Sequence, residues 1–226
     1  MQADDLRRRA EAITWWHGGM DLGHGVVTQG RTYPARTLLP RLGLPDDLSG
    51  KTVLDVGTWD GFMAFECERR GARVTAVDSY AWDTANVADT HNPTGRAGFD
   101  LAHEALNSGV FAVDCPVLDM TPEVCGTYDI VLFLGVLYHM RHPLLALERM
   151  AALTRDLLIV ETHGDMHDDP RPAMRFYPGD ECNGDVSNWW GPNAACVEAM
   201  MHAAGMRRTR RVSGIGGRVV VHGWRE

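Results

Sequence analysis

Short continuous apolar runs alternate along this chain with stretches where apolar positions recur every three or four residues. Thr52–Val56, Arg73–Asp78, Tyr128–Leu134 and Leu157–Glu161 are mostly β-branched and apolar, the pattern of strands covered on both faces. Between them the period lengthens. Phe62 to Arg70 reads as an amphipathic helix stopped by Gly71, and Phe99 to Leu106 as a second. Pro143 opens a third, whose apolar face is Leu144, Leu145, Leu147, Met150 and Ala151. Asn193 caps a fourth, Ala194 to Ala204, which Gly205 ends. The strand after the second helix is ambiguous, because Val110–Val113 and Pro116–Leu118 compete for it. Met206–Val212 and Arg218–His222 read as a closing antiparallel pair joined through the glycines of 214–217. Alternating strands and helices predict an α/β fold, a doubly wound and mostly parallel sheet.

The ends of this pattern differ from its middle. Asp4 to Ile13 forms a short amphipathic helix, with Leu6, Ala10 and Ile13 as its stripe. Thr14 to Gly30 is glycine-rich and without period, yet carries Trp15, Trp16, His17 and His24; it reads either as a lid or as a staple of the first helix to the core. Arg36 to Leu42 adds a helical turn or two. We therefore expect an N-terminal helix and lid segment over 1–48 and an α/β domain over 49–226, with a long loop insertion at 164–193. The loop 79–98, holding Tyr80, Trp82 and His91, is placed to flank a ligand.

Charge narrows the partners. The 226 residues carry a net charge of −8, and Lys51 is the only lysine, so a large nucleic-acid footprint is disfavoured. Arg207, Arg208, Arg210 and Arg211 are a local exception and read as a solvated helix end and edge strand. The five cysteines form no C-x-x-C pair, which fits reduced thiols better than a disulfide frame or zinc site. With no membrane-length apolar run and no apolar leader at the N-terminus, a soluble cytoplasmic protein is expected.

The chemistry centres on Asp55-Val-Gly57-Thr58-Trp59-Asp60-Gly61, a strand-to-helix turn bracketed by two glycines. Such a turn lets backbone approach a ligand and aims helix N–H groups at it. Roughly twenty residues on, Asp78 closes the next strand, where an acid can accept ribose hydroxyls. Asp55-x-Gly57-x-x-x-Gly61 is not the dinucleotide fingerprint. It resembles motif I of the class I S-adenosylmethionine methyltransferases, which usually carry another glycine where this chain has Trp59. Gly135-Val-Leu-Tyr-His-Met-Arg-His-Pro143 and Ser187-Asn-Trp-Trp-Gly-Pro-Asn193 are similar to the branch that includes the wobble-uridine tRNA carboxymethyltransferase and its smaller relatives.

The resemblance implies a Rossmann-like, seven-stranded sheet and S-adenosylmethionine as cofactor. It implies cofactor contacts from Asp55, Gly57, Thr58, Trp59, Gly61, Asp78, Ser79, Asp119, Met120, Leu134, Gly135 and Tyr138. The tRNA enzyme grips a carboxylated cofactor partly through N-terminal lysines, which this chain lacks; ordinary S-adenosylmethionine and a small acceptor are favoured. Ligands in open α/β sheets sit beyond the carboxyl ends of strands, so Gly57, Asp78, Gly135, Tyr138, His139, Glu161 and His163 are expected to converge.

Methyl transfer to a hydroxyl needs a base, and histidine near neutral pH is the usual one. His139 is the first candidate, then His163 with Glu161 orienting it or the acceptor, then His17. Trp16, His17, Tyr177, Asn188 and Trp189 are candidate acceptor contacts. Glu161, His163 and Asp165 alternate and present a metal-binding alternative, though no metal is expected. The expected activity is methylation of an oxygen or nitrogen of a small molecule. The alternatives are tRNA modification and non-methylating chemistry or sensing of the cofactor.

Overall fold

Residues 2–86, 92–213 and 216–226 are described by a computed structural model. His91, Gly214 and Ile215, to which the sequence assigned a loop and a turn, lie outside the described residues. The chain divides into two compact units, Met1–Asp114 and Cys115–Glu226.

In the first unit, α1 (Ala3–Glu11) precedes an irregular segment and two short helices, α2 (Pro34–Thr37) and α3 (Leu39–Leu42). Then come β1 (Thr52–Val56), α4 (Phe62–Arg69), β2 (Arg73–Asp78), α5 (Ala97–Ala105) and β3 (Phe111–Asp114). β1 pairs with β2, and β2 with β3, all parallel. The ambiguous strand is thus Phe111–Asp114; Pro116 lacks a ladder N–H, and the residues after it make a 3₁₀ turn, Val117–Asp119. α4 stops where Gly71 takes φ 95°, and Gly71 and Ala72 return their N–H groups to Glu68 and Cys67. That double return is a Schellman cap, which a Cβ at this φ would oppose.

In the second unit, α6 (Pro122–Cys125) and β4 (Tyr128–Leu134) lead through a 3₁₀ turn, Leu137–His139, to α7 (Pro143–Leu153) and β5 (Thr154–His163). β6 (Met174–Phe176), β7 (Trp190–Pro192), α8 (Ala194–Ala203), β8 (Arg208–Ser213) and β9 (Arg218–Trp224) follow. β4 and β5 are parallel, β9 runs antiparallel to β5, and β8 antiparallel to β9. The stretch expected to be one long loop contains a two-stranded antiparallel ribbon of β6 and β7. Alternation there is too brief to show as a period. Asn193 caps α8 by accepting from the Cys196 N–H at 2.8 Å.

The main sheet has seven strands in the order β3-β2-β1-β4-β5-β9-β8, flanked by helices, the mostly parallel Rossmann-like arrangement. β1 and β4 are apolar because both faces are covered; Val53, Leu54, Val131, Leu132 and Phe133 are fully buried.

Candidate functional site

In the first unit the site is built on the turn after β1. Gly57 and Thr58 both send their N–H groups to the Val77 carbonyl, at 2.8 and 3.1 Å, which locks the turn to the end of β2. The Thr58 hydroxyl donates to Asp55 at 2.7 Å. Trp59 then adopts φ 54°, the left-handed region that favours glycine. Its N–H reaches Asp78 at 2.9 Å, and its carbonyl accepts from the Trp82 indole at 2.7 Å. The other Asp78 oxygen accepts the Ala81 N–H at 2.9 Å. Gly61, also at positive φ, ends the turn against Phe65 and Phe99, where a Cβ would collide. Ser79 is half-buried at the strand tip.

Asp55 and Asp78 are both buried, and burial pushes both carboxyls up, Asp55 to about 6. Backbone N–H groups of Trp59, Ala81 and Ser79 hold Asp78, and a carboxylate with about four acceptor sites still has capacity left. A buried carboxylate with unused acceptor capacity suits a ribose hydroxyl.

The N-terminal segment is fastened to this turn by a residue that sequence reasoning passed over. Asp60 is buried; one of its oxygens accepts the backbone N–H groups of Trp16, at 2.9 Å, and His17, at 2.8 Å. The other oxygen meets His17 Nδ1. Trp16 stacks on Trp59 with ring centroids 4.8 Å apart. Gly30 packs so closely on the backbone of Trp16, His17 and Gly18 that a Cβ would displace them. Trp15 is the staple: it is buried, and its indole donates to Ala10. Of the two tryptophans only Trp16 faces the turn. An acid inside a glycine-bracketed turn was the available signal for Asp60.

The second unit holds a different constellation. Glu161, at the end of β5, is gripped through both oxygens by Arg218, the first residue of β9. The antiparallel register that sets His163 opposite Arg218 brings the two charges together, and this pairing is invisible from sequence. Glu161 therefore answers Arg218 and not His163. The Arg218 guanidinium lies 5.0 Å over the Tyr138 ring. Tyr138 stacks against His139 at 4.1 Å.

His139 is anchored by Nδ1 at 3.0 Å from the Ser187 carbonyl. His163 Nε2 is 3.2 Å from the Tyr177 hydroxyl, which donates to Asp165 at 2.7 Å. Burial holds both imidazoles below the ordinary histidine range. Trp189 joins this group through its N–H on the Tyr138 carbonyl. Asn188 donates to Cys182, while its buried Oδ1 has no partner among the described residues. Gly135 takes φ 72° beside the half-buried Leu134. Asp119 is exposed, and Met120 is fully buried. Glu161 answers Arg218 while His163 and Asp165 share the Tyr177 hydroxyl, and no cluster of three metal ligands forms among the described residues.

A family described as a methyltransferase domain matches residues 27–207. The chain belongs to the methyltransferase-domain family. Among curated relatives, the ubiquinone biosynthesis O-methyltransferase of Bordetella parapertussis is 33% identical over 159 residues, 68% of this chain and 57% of that protein. That of Vibrio parahaemolyticus is 32% identical over 113 residues, 49% of this chain and 42% of the relative. The chain thus spans about half the length of these relatives. Among solved structures, the N-terminal domain of EvdMO1, determined with S-adenosylhomocysteine and D-fucose, superposes with a TM-score of 0.67 at 20% identity, covering 99% of this chain and 97% of that one. The 1,6-didemethyltoxoflavin-N1-methyltransferase of Burkholderia thailandensis reaches 0.55 at 19% identity over 78% and 71%. These likenesses fix the methyltransferase fold, and the wobble-uridine branch is not singled out among them. No helix among the described residues of this methyltransferase domain is long and apolar enough to cross a membrane.

Proposed function

We propose that this chain is an S-adenosylmethionine-dependent methyltransferase acting on a hydroxyl of a small-molecule acceptor. The observation that carries the reading is the pair of buried carboxylates, Asp55 and Asp78, under the Trp59 turn, which among the described residues bond to a hydroxyl and backbone N–H groups and to no arginine or lysine. Uncompensated buried carboxylates call for a cationic or hydroxyl-rich ligand, and S-adenosylmethionine is both. Gly57, Thr58, Trp59, Asp78 and Ser79 of the first unit would hold it; Asp119, Met120, Leu134, Gly135 and Tyr138 stay assigned to the cofactor by the motif resemblance alone. The cofactor supplies a methyl carbon made electrophilic by its sulfonium.

The chain's own residues do the rest. Asp78 orders the turn that carries the Trp59 N–H. Tyr177, Asn188 and Trp189 offer an aromatic and polar wall for an acceptor, and the unpartnered Asn188 Oδ1 gains from a donor hydroxyl. The ubiquinone-pathway relatives, named as O-methyltransferases, support oxygen over nitrogen. The cysteines, all free, fit a reducing cytoplasm, which is part of the same proposal. Likeness to the wobble-uridine branch rests on Gly135–Pro143 and Ser187–Asn193 alone, and the acidic charge supports a small acceptor over tRNA.

Calorimetry with S-adenosylhomocysteine tests the reading. Wild-type chain is expected to bind it, and Asp78→Ala to bind about 10–100-fold more weakly, since hydrogen bonds to a charged group contribute about 1.5–3 kcal/mol. No binding by the wild type, or an unchanged affinity in the variant, removes the assignment. Tight, salt-sensitive binding of tRNA in a gel-shift assay would turn the acceptor reading toward RNA.

A further inference from the structure

We propose that His17 is the general base for the acceptor hydroxyl and that Asp60 is its positioning residue; this rests on the methyltransferase reading above. Asp60 accepts two backbone N–H groups from the segment it anchors, so fastening alone is already served by Trp16 and His17 main chain. The imidazole adds something else. A carboxylate accepts only, so the nitrogen that faces Asp60 carries a proton, and in the neutral imidazole Nε2 then keeps its lone pair. Among the described residues nothing bonds to Nε2, and the side chain keeps 14% of its surface open. Its place follows from its neighbour: Trp16 stacks on Trp59 in the turn proposed to hold the cofactor, and the His17 ring lies 5.7 Å from Phe62, the first residue of α4.

The carboxylates facing His17 are Asp60, in contact, and Asp55 beneath the turn. His163 is the rival. Its bonded partner is a phenol, Tyr177, and burial first, then Arg218, opposes a positive charge there, against the weaker pull of Asp165 and Glu161. His139 spends its Nδ1 on the Ser187 carbonyl and hydroxyl and lies against Tyr138, and among the described residues no carboxylate bonds it directly. In the step assigned to His17, the acceptor O–H bond breaks and its proton goes to Nε2. The oxygen pair bonds the methyl carbon, and the C–S pair returns to sulfur. The imidazolium, held by Asp60, then releases its proton to solvent.

Two readouts test this. With the chain labelled at histidine nitrogen and saturated with S-adenosylhomocysteine, a two-bond proton–nitrogen spectrum should show His17 as the Nδ1–H tautomer with a lone pair on Nε2. Asp60→Asn should mix the tautomers. This readout needs no acceptor, and an Nε2–H tautomer in the wild type overturns the proposal. With catechol as the acceptor probe, His17→Gln should lower kcat about 10²–10⁴-fold, the usual contribution of a positioned base. Its affinity for S-adenosylhomocysteine should stay within about threefold, and added imidazole should partly restore His17→Ala. Turnover retained in His17→Gln but lost in His163→Gln moves the base to His163. Failure of the wild type to bind S-adenosylhomocysteine is a different result: it removes the methyltransferase reading whatever the tautomer.

Discussion

Asp55 and Asp78 in the first unit and Glu161 in the second are nearly fully buried, at 3%, 6% and 3% exposure, yet among the described residues only Glu161 has an arginine bonded to it. The first two are satisfied by a threonine hydroxyl and by backbone N–H groups. Burial without a counter-charge pushes their carboxyls up, whereas Arg218 supplies Glu161 with two charge-assisted bonds. The contrast separates two uses of a buried acid. One is closed, its charge already neutralised within the protein. The other is open, and fits a ligand that brings positive charge or hydroxyl donors of its own.

The closed pair should be the costlier to break. Arg218→Met leaves Glu161 buried and unpaired, which we expect to cost about 3 kcal/mol in urea unfolding, the low end for such pairs because Arg218 is partly exposed. Adding Glu161→Gln should recover most of that loss. A cost under about 1 kcal/mol for the single variant would show that solvent already screens Glu161, and the contrast between the units would collapse.

The open acid should announce itself through pH. Asp55 has a folded value of about 6, above its ordinary 3.8, so the folded chain binds this proton more tightly than the unfolded chain does. Its contribution to stability is therefore fully present below about pH 4 and is lost as pH rises through about 6, a fall of roughly 2–3 kcal/mol at ~1.4 kcal/mol per unit. Asp55→Asn should flatten that part of the profile in urea titrations between pH 4 and 7. A slope that survives the substitution assigns it to another group.

Sequence carried the framework further than the site. The runs Thr52–Val56 and Tyr128–Leu134 are strands because long apolar stretches have few other uses in a small domain, and the glycine turn after β1 follows from local chemistry. Asp55, Gly57 and Asp78 could be singled out for the same reason: they are set by residues close in the chain. Arg218 could not, since it meets Glu161 across 57 positions through an antiparallel register. Asp60 reaches back 43 residues to His17, and its neighbours gave no hint of the direction. The β6–β7 ribbon was hidden because strands of three residues, Met174–Phe176 and Trp190–Pro192, show no alternation. What packs locally was legible, and what is made by long-range pairing of single side chains was not.

The open arrangement also depends on one strained residue, and that gives the smallest and most specific test. Asp78 receives the Trp59 N–H only because Trp59 holds φ 54°. A side chain there costs roughly 1–2 kcal/mol relative to glycine, and the stack on Trp16 returns about 0.5–1.5 kcal/mol. Trp59→Gly should therefore leave stability within about 1 kcal/mol of wild type, since relief and loss nearly cancel. Trp59→Ala loses the stack and keeps the strain, so it should be about 1 kcal/mol less stable than the glycine variant, the reverse of the usual order of these two residues. Chemical denaturation of the three proteins decides it. If alanine proves the more stable replacement, the turn relaxes out of the left-handed region without its tryptophan, and the N–H on Asp78 is held by the Trp16 stack and not by the backbone.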